Sequence, residues 1–106
     1  MQESYVTITA EAAKHIMDTE EEVVILDVRT PEEYNEGHIP GAVLLPNTEI
    51  SSRADEVLAD KSQLILVYCR SGRRSKMAAE ELASMGYSNI KDFGGILDWP
   101  YDVVVD

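Results

Sequence analysis

Leu64-Ile65-Leu66-Val67-Tyr68-Cys69-Arg70-Ser71-Gly72-Arg73-Arg74-Ser75 is the stretch that decides the fold. Residues 64–68 are apolar without a break, the pattern of a strand buried on both faces. A polar, glycine-containing turn follows. From Ser75 to Met85 the apolar residues then recur at helical spacing, which places Met77, Ala78, Leu82 and Met85 on one face. Gly86 supplies a C-terminal stop. A buried strand feeding a helix through a short turn is the building unit of a parallel sheet.

The same unit recurs on either side. Val23-Val24-Ile25-Leu26 is a second unbroken apolar run. Thr30-Pro31-Glu32-Glu33 after it predicts a helix, with threonine at the cap, proline at the first helical position and Glu33 placed to complete a capping box. Gly37 and Pro40-Gly41 keep that helix short. Ala42 to Leu45 predicts a further strand, and Ser51 or Ser52 opens a helix carrying Val57 and Leu58. Tyr5-Val6-Thr7-Ile8 is a short strand or lead-in, with Thr9 capping a helix to about Met17 whose apolar face holds Ala12, Ala13 and Ile16. Ile90 to Phe93 forms one more strand, and Trp99 packs. Val103-Val104-Val105 suits an edge strand, a dimer contact or a packed tail. Strands alternating with helices define an α/β domain with an open, largely parallel sheet covered on both faces. Ligands of such sheets sit beyond the carboxyl ends of the strands, where Cys69 falls.

Composition narrows the function. With 106 residues, 44% hydrophobic and 27% charged, the chain suits one globular domain spanning 1–106. No apolar run approaches a membrane span, and the first residues lack the pattern of a signal peptide, so the expected location is cytoplasmic. One cysteine excludes an internal disulfide and a thiolate-rich zinc site. Twenty acids against nine Lys and Arg, a net charge of -11, argue against nucleic acid or an anionic membrane as partner. Four of those nine cations nevertheless crowd into residues 70–76: Arg70, Arg73, Arg74 and Lys76. A small positive spot sits on an acidic body.

That spot has a chemistry. A strand-to-helix loop points several backbone N–H groups into one concavity, and the helix start adds the positive end of its dipole. Gly72 gives the loop room to bend. Arg70, Arg73 and Arg74 add charge and forked hydrogen bonds for an oxyanion. Ser75 is placed to cap the helix and to donate to the cysteine sulfur. Thiols in such fields ionise more readily. Cys69 is therefore the candidate nucleophile and Arg70, Ser71, Gly72, Arg73, Arg74 and Ser75 the candidate substrate cradle.

Cys69 to Ser75 resembles the active-site loop of the rhodanese family of single-domain sulfurtransferases, whose pattern is C-R-x-G-x-R-[ST]. Leu26-Asp27-Val28-Arg29 with Glu33 and Tyr34, Gly37-His38-Ile39-Pro40-Gly41-Ala42, Gly86-Tyr87 and Gly94-Gly95 with Trp99 are similar to other family segments, so the likeness covers about residues 6–100. The resemblance implies a three-layer α/β/α domain around a mostly parallel five-stranded sheet. It implies a thiosulfate:cyanide sulfurtransferase in which Cys69 cycles between thiolate and persulfide, with no metal and no organic cofactor. The implied partners are a small anionic sulfur donor such as thiosulfate, and cyanide or a thiol, including a protein thiol, as acceptor. With a single cysteine, the persulfide must pass to an external acceptor. A persulfide carrier or a non-catalytic binding module is the alternative.

Three further residues are candidates for a supporting role. Asp27 and Arg29 flank a strand end and are expected to tie a loop together rather than touch substrate. His38 is expected to fix its loop by hydrogen bonding, since a preformed thiolate needs no base. Glu33 caps or pairs. A cysteine phosphatase or arsenate reductase would use C-x5-R, but the residue six after Cys69 is Ser75, and Arg74 comes one position too early.

Overall fold

The computed structural model describes residues 5–105. Five strands, β1 (Tyr5–Thr7), β2 (Val23–Asp27), β3 (Val43–Leu44), β4 (Leu64–Cys69) and β5 (Ile90–Gly95), form one sheet in the order β1-β5-β4-β2-β3. Every pairing is parallel. Four helices connect them: α1 (Ala10–Thr19), α2 (Pro31–Glu36), α3 (Ile50–Val57) and α4 (Arg73–Ser84). The sheet is thus the middle of three layers. One face packs Leu26, Ile65, Val67 and Ile90 against Ile50 and Ala54 of α3 and Ala78, Ala79 and Leu82 of α4. The other packs Leu66, Tyr68 and Phe93 against Ala13 and Ile16 of α1, with Tyr34 and Trp99 completing the cluster.

Local chemistry sets most boundaries. Thr9 caps α1 by accepting from Ala12 N at 3.1 Å. Thr30 and Glu33 form the expected reciprocal box on α2, with Pro31 as its first residue. Gly86, at φ 102, takes the left-handed conformation that follows the last turn of α4. Trp99 packs as expected, its ring 5.4 Å from that of Phe93.

Several sequence expectations are corrected. β3 is two residues long rather than Ala42 to Leu45, because the Ala42 amide closes a turn onto Ile39 O and Pro46 has no amide to extend the ladder. α3 begins at Ile50, fed by a 3-10 turn at Asn47–Glu49, so Ser51 and Ser52 lie inside it. On α1 the buried residue is Ala13, while Ala12 faces solvent. On α4 Met77 is also exposed, at 53%; the buried stripe is Ser75, Ala78, Ala79 and Leu82, at helical spacing i, i+3, i+4, i+7. α4 starts two residues before Ser75, with Gly72 as its cap. Val104 makes one antiparallel bridge to His38, and the 103–105 side chains are exposed. Among the described residues no helix is long and apolar enough to cross a membrane.

Candidate active site

β4 carries Cys69 as its last residue, at the carboxyl end of a strand flanked by β2 and β5. The residue is fully buried, so its sulfur forms the floor of the 69–75 loop. Gly72 turns the chain through φ 105, a left-handed conformation that favours glycine. That turn aims the Gly72 N–H back at Cys69 Sγ, 3.0 Å away. α4 starts at the next residue, and its first-turn amides have no side-chain cap. Sulfur, an inward amide and an open helix start therefore converge, as a buried strand followed by a glycine turn dictates.

The cations divide into two kinds. Arg74 is committed: its guanidinium makes a forked pair with Glu33 of α2, Nη1 to Oε1 at 2.7 Å and Nη2 to Oε2 at 2.9 Å. The Arg74 bond holds the Glu33 carboxyl well down, at about 2. Arg70 and Arg73 are exposed and make no ion pair among the described residues. Ser71 is exposed beside them. The expected trio of arginines thus resolves into two unpaired cations at the loop rim and one cross-brace to α2.

Ser75 departs from expectation. It is the third residue of α4, fully buried, and does not cap the helix. Its hydroxyl donates to Asp92 Oδ1 at 2.8 Å instead of to the sulfur. Asp92, on β5, also accepts from Gly94 N at 2.9 Å. Gly95 lies directly against the loop. A Cβ built there would clash with the Arg70 carbonyl oxygen and come within 2.6 Å of Ser71 Cα. The Arg70 carbonyl accepts from Leu97 N at 3.1 Å. Sequence reasoning missed the Asp92 contact and the Arg74–Glu33 brace. The available signal was an acid inside the Ile90 to Phe93 strand, at the position two after Ile90 and two before the first of two glycines.

Asp27, Arg29 and His38 all bond to other groups of the protein. Arg29 Nη2 meets Asp27 Oδ2 at 2.6 Å, with both side chains buried, and also donates to Gly37 O at 2.8 Å. Tyr68 OH donates to Asp27 Oδ2 at 2.7 Å and accepts from Ile39 N at 3.1 Å. Burial first, and the Asp27 bond next, push the Tyr68 hydroxyl well up in pKa. His38 stacks on Tyr34 with ring centres 3.8 Å apart, and its Nδ1 lies 3.0 Å from Tyr34 O. These contacts pin the 37–42 loop at the end of the sheet. A separate groove of about 310 Å³, lined by Met17, Ile25, Ile39, Pro40, Trp99 and Tyr101 among others, contains no residue of the 69–75 loop.

A parallel α/β/α sheet here ends a central strand in a cysteine at the uncapped start of a helix, the place where ligands of such sheets sit. The family model of the Rhodanese-like domain matches residues 9–100. Thiosulfate sulfurtransferase PspE of Escherichia coli K12 is 40% identical over 73 residues, which cover 69% of this chain and 70% of that protein. A protein of Bacillus subtilis named "Putative sulfur carrier protein YrkF" is 41% identical over 93 residues, 87% of this chain but 49% of its own length. Among solved structures, an E. coli rhodanese with anions superposes with a TM-score of 0.74 at 36% identity, covering 79% of this chain and 99% of that one. The chain belongs to the rhodanese-like domain family, and it is a sulfurtransferase or sulfur carrier of that family.

Proposed function

We propose that this chain, acting as a single domain over residues 1–106, transfers sulfane sulfur through Cys69 from thiosulfate to cyanide or a thiol. The observation that carries the reading is the Gly72 N–H pointing at Cys69 Sγ from 3.0 Å, at the open start of α4. An amide aimed at sulfur stabilises negative charge there, both on the attacking thiolate and on the persulfide.

In the first step the Cys69 thiolate attacks the outer sulfur of thiosulfate. A sulfur–sulfur bond forms to Cys69, the bond to the sulfonate sulfur breaks, and sulfite leaves with the electron pair. Arg70, Arg73 and the amides of Ser71 and Gly72 hold the dianion and the departing sulfite. Arg74 acts from behind, bracing α4 through Glu33, and Ser75 shapes the loop. In the second step cyanide or a thiolate attacks the outer persulfide sulfur, and the Cys69 thiolate leaves. No proton need be moved by His38, in keeping with its bond to Tyr34. A thiol that must return to its free form after each turnover suits a reducing compartment such as the cytoplasm.

The name of the YrkF relative favours a second reading, in which the persulfide is stable and awaits a protein acceptor. One pair of measurements separates the two. Thiocyanate formation from thiosulfate and cyanide is compared in the wild type and Cys69→Ala, with mass spectrometry of thiosulfate-treated protein. Turnover that vanishes in the variant, with one added sulfur on the wild type, is the expected result. A stable persulfide without turnover selects the carrier. Neither signal in folded, reduced protein overturns both.

A further inference from the structure

Asp92 is the one buried carboxylate that the sulfur chemistry above does not use and no ion pair neutralises among the described residues. It sits in β5, two residues after Ile90 and on the same face of the strand, where an apolar residue would continue the core. A polar group in that position is costly unless its bonds compensate. Here one oxygen, Oδ1, takes two: the Ser75 hydroxyl at 2.8 Å and the Gly94 amide at 2.9 Å. Ser75 belongs to the first turn of α4, and Gly94 is the left-handed residue, φ 93, that brings Gly95 against Arg70 and Ser71. β4 and β5 slip register between Val67 and Cys69, so β5 accommodates an extra residue where it passes the cysteine.

We propose that Asp92 is a positioning residue for the Cys69 loop, acting through Ser75 and Gly94. One carboxylate oxygen clamps the helix start on one side of the loop to the glycine turn supporting its back. The clamp sets the spacing between Cys69 Sγ and the amides that receive the anion. The inference deepens the sulfur-transfer reading and rests on its assignment of the loop as an anion cradle. It adds a residue outside the Cys69–Ser75 segment as a determinant of anion selectivity.

The test measures the cradle without requiring sulfur transfer. Cys69 is alkylated with iodoacetate and, separately, with iodoacetamide, reagents of near-equal reach that differ in charge. In both, sulfur forms a bond to carbon and iodide leaves. The ratio of the two rates reports how well the loop favours an anion, and a loss of global stability alone does not change it in folded protein. Asp92→Ala, assayed below its melting temperature, is expected to lower the ratio about fivefold, the scale of one lost hydrogen bond. Asp92→Asn retains the Oδ1 acceptor and is expected to restore the ratio to the wild-type value or above. Ser75→Ala cuts the clamp from its other end, so it keeps the test available if Asp92→Ala does not fold. It should lower the ratio similarly, and the double variant should fall no further than either single one. A wild-type ratio in folded Ser75→Ala, or an Asp92→Asn ratio as low as that of Asp92→Ala, overturns the proposal. Persulfide formation from thiosulfate in the wild type, read by mass, stands or falls separately, so failure of the clamp and failure of the sulfur chemistry are told apart.

Discussion

Replacing Glu33 with Gln isolates the charge of the brace between α2 and the Cys69 loop. Glutamine keeps an oxygen to accept from Thr30 N, so the capping box survives the change. What disappears is the negative charge facing Arg74 at 2.7 and 2.9 Å. Lowering the Glu33 pKa from an ordinary 4.5 to about 2 corresponds, at about 1.4 kcal/mol per pH unit, to a ceiling of about 3.5 kcal/mol. The side chains are 23% and 29% exposed, so solvent screening brings the expected loss at pH 7 to about 1–2 kcal/mol. For a domain of this size that is a fall in Tm of about 5–10 °C. The sign of the pH dependence follows from the depressed folded value. The stabilisation is complete above pH 4.5, shrinks as acid protonates the unfolded chain, and is gone once pH falls through about 2. Urea unfolding of both proteins between pH 7 and pH 2.5 reads the gap directly. A gap that stays constant down to pH 2.5, or no gap at pH 7, refutes the assignment of the brace to charge.

The remaining expectations test the loop and the core. Gly95→Ala drives a methyl into the backbone of Arg70 and Ser71, which cannot swing aside; it should cost about 1–3 kcal/mol and abolish persulfide formation in protein that remains folded by circular dichroism. Tyr68→Phe leaves the buried Ile39 amide without its acceptor and takes one of several donors from Asp27, a loss of about 1–3 kcal/mol in urea unfolding. Leu82→Ala empties a fully buried site between α4 and the sheet and should cost about 2–5 kcal/mol, again by urea unfolding, while sulfur-transfer kinetics measured well below Tm stay near wild type.

The fold was readable wherever one local rule dominated. Unbroken apolar runs marked β2 and β4, and the Thr30-Pro31-Glu32-Glu33 signal marked the start of α2 to the residue. Short elements escaped for a physical reason. β3 is held by its pairing with β2 and by the turn at Ile39–Ala42, and two residues carry no pattern of their own. Met77 looked like core because apolar spacing cannot tell which of two adjacent helix stripes meets the sheet; that depends on where α4 docks. In the site, Cys69 and its loop were legible because they are contiguous. The Arg74–Glu33 brace spans 41 positions and the Ser75–Asp92 contact 17, and both depend on the packing of separate elements. Charge counting placed Arg74 with Arg70 and Arg73, whereas the fold turns it toward α2.

The strand order has a consequence for how the chain is made. β5 lies between β1 and β4, so the last of the five strands is inserted between two that precede it in the chain. Until residues 90–95 leave the ribosome, β1 has no neighbour, β4 presents a bare edge, and the back of the cysteine loop has nothing to rest on. Cys69 is translated about twenty residues ahead of the strand that shapes its surroundings. During that interval the nascent chain carries an exposed thiol next to an open sheet edge, and completion of β5 closes both at once.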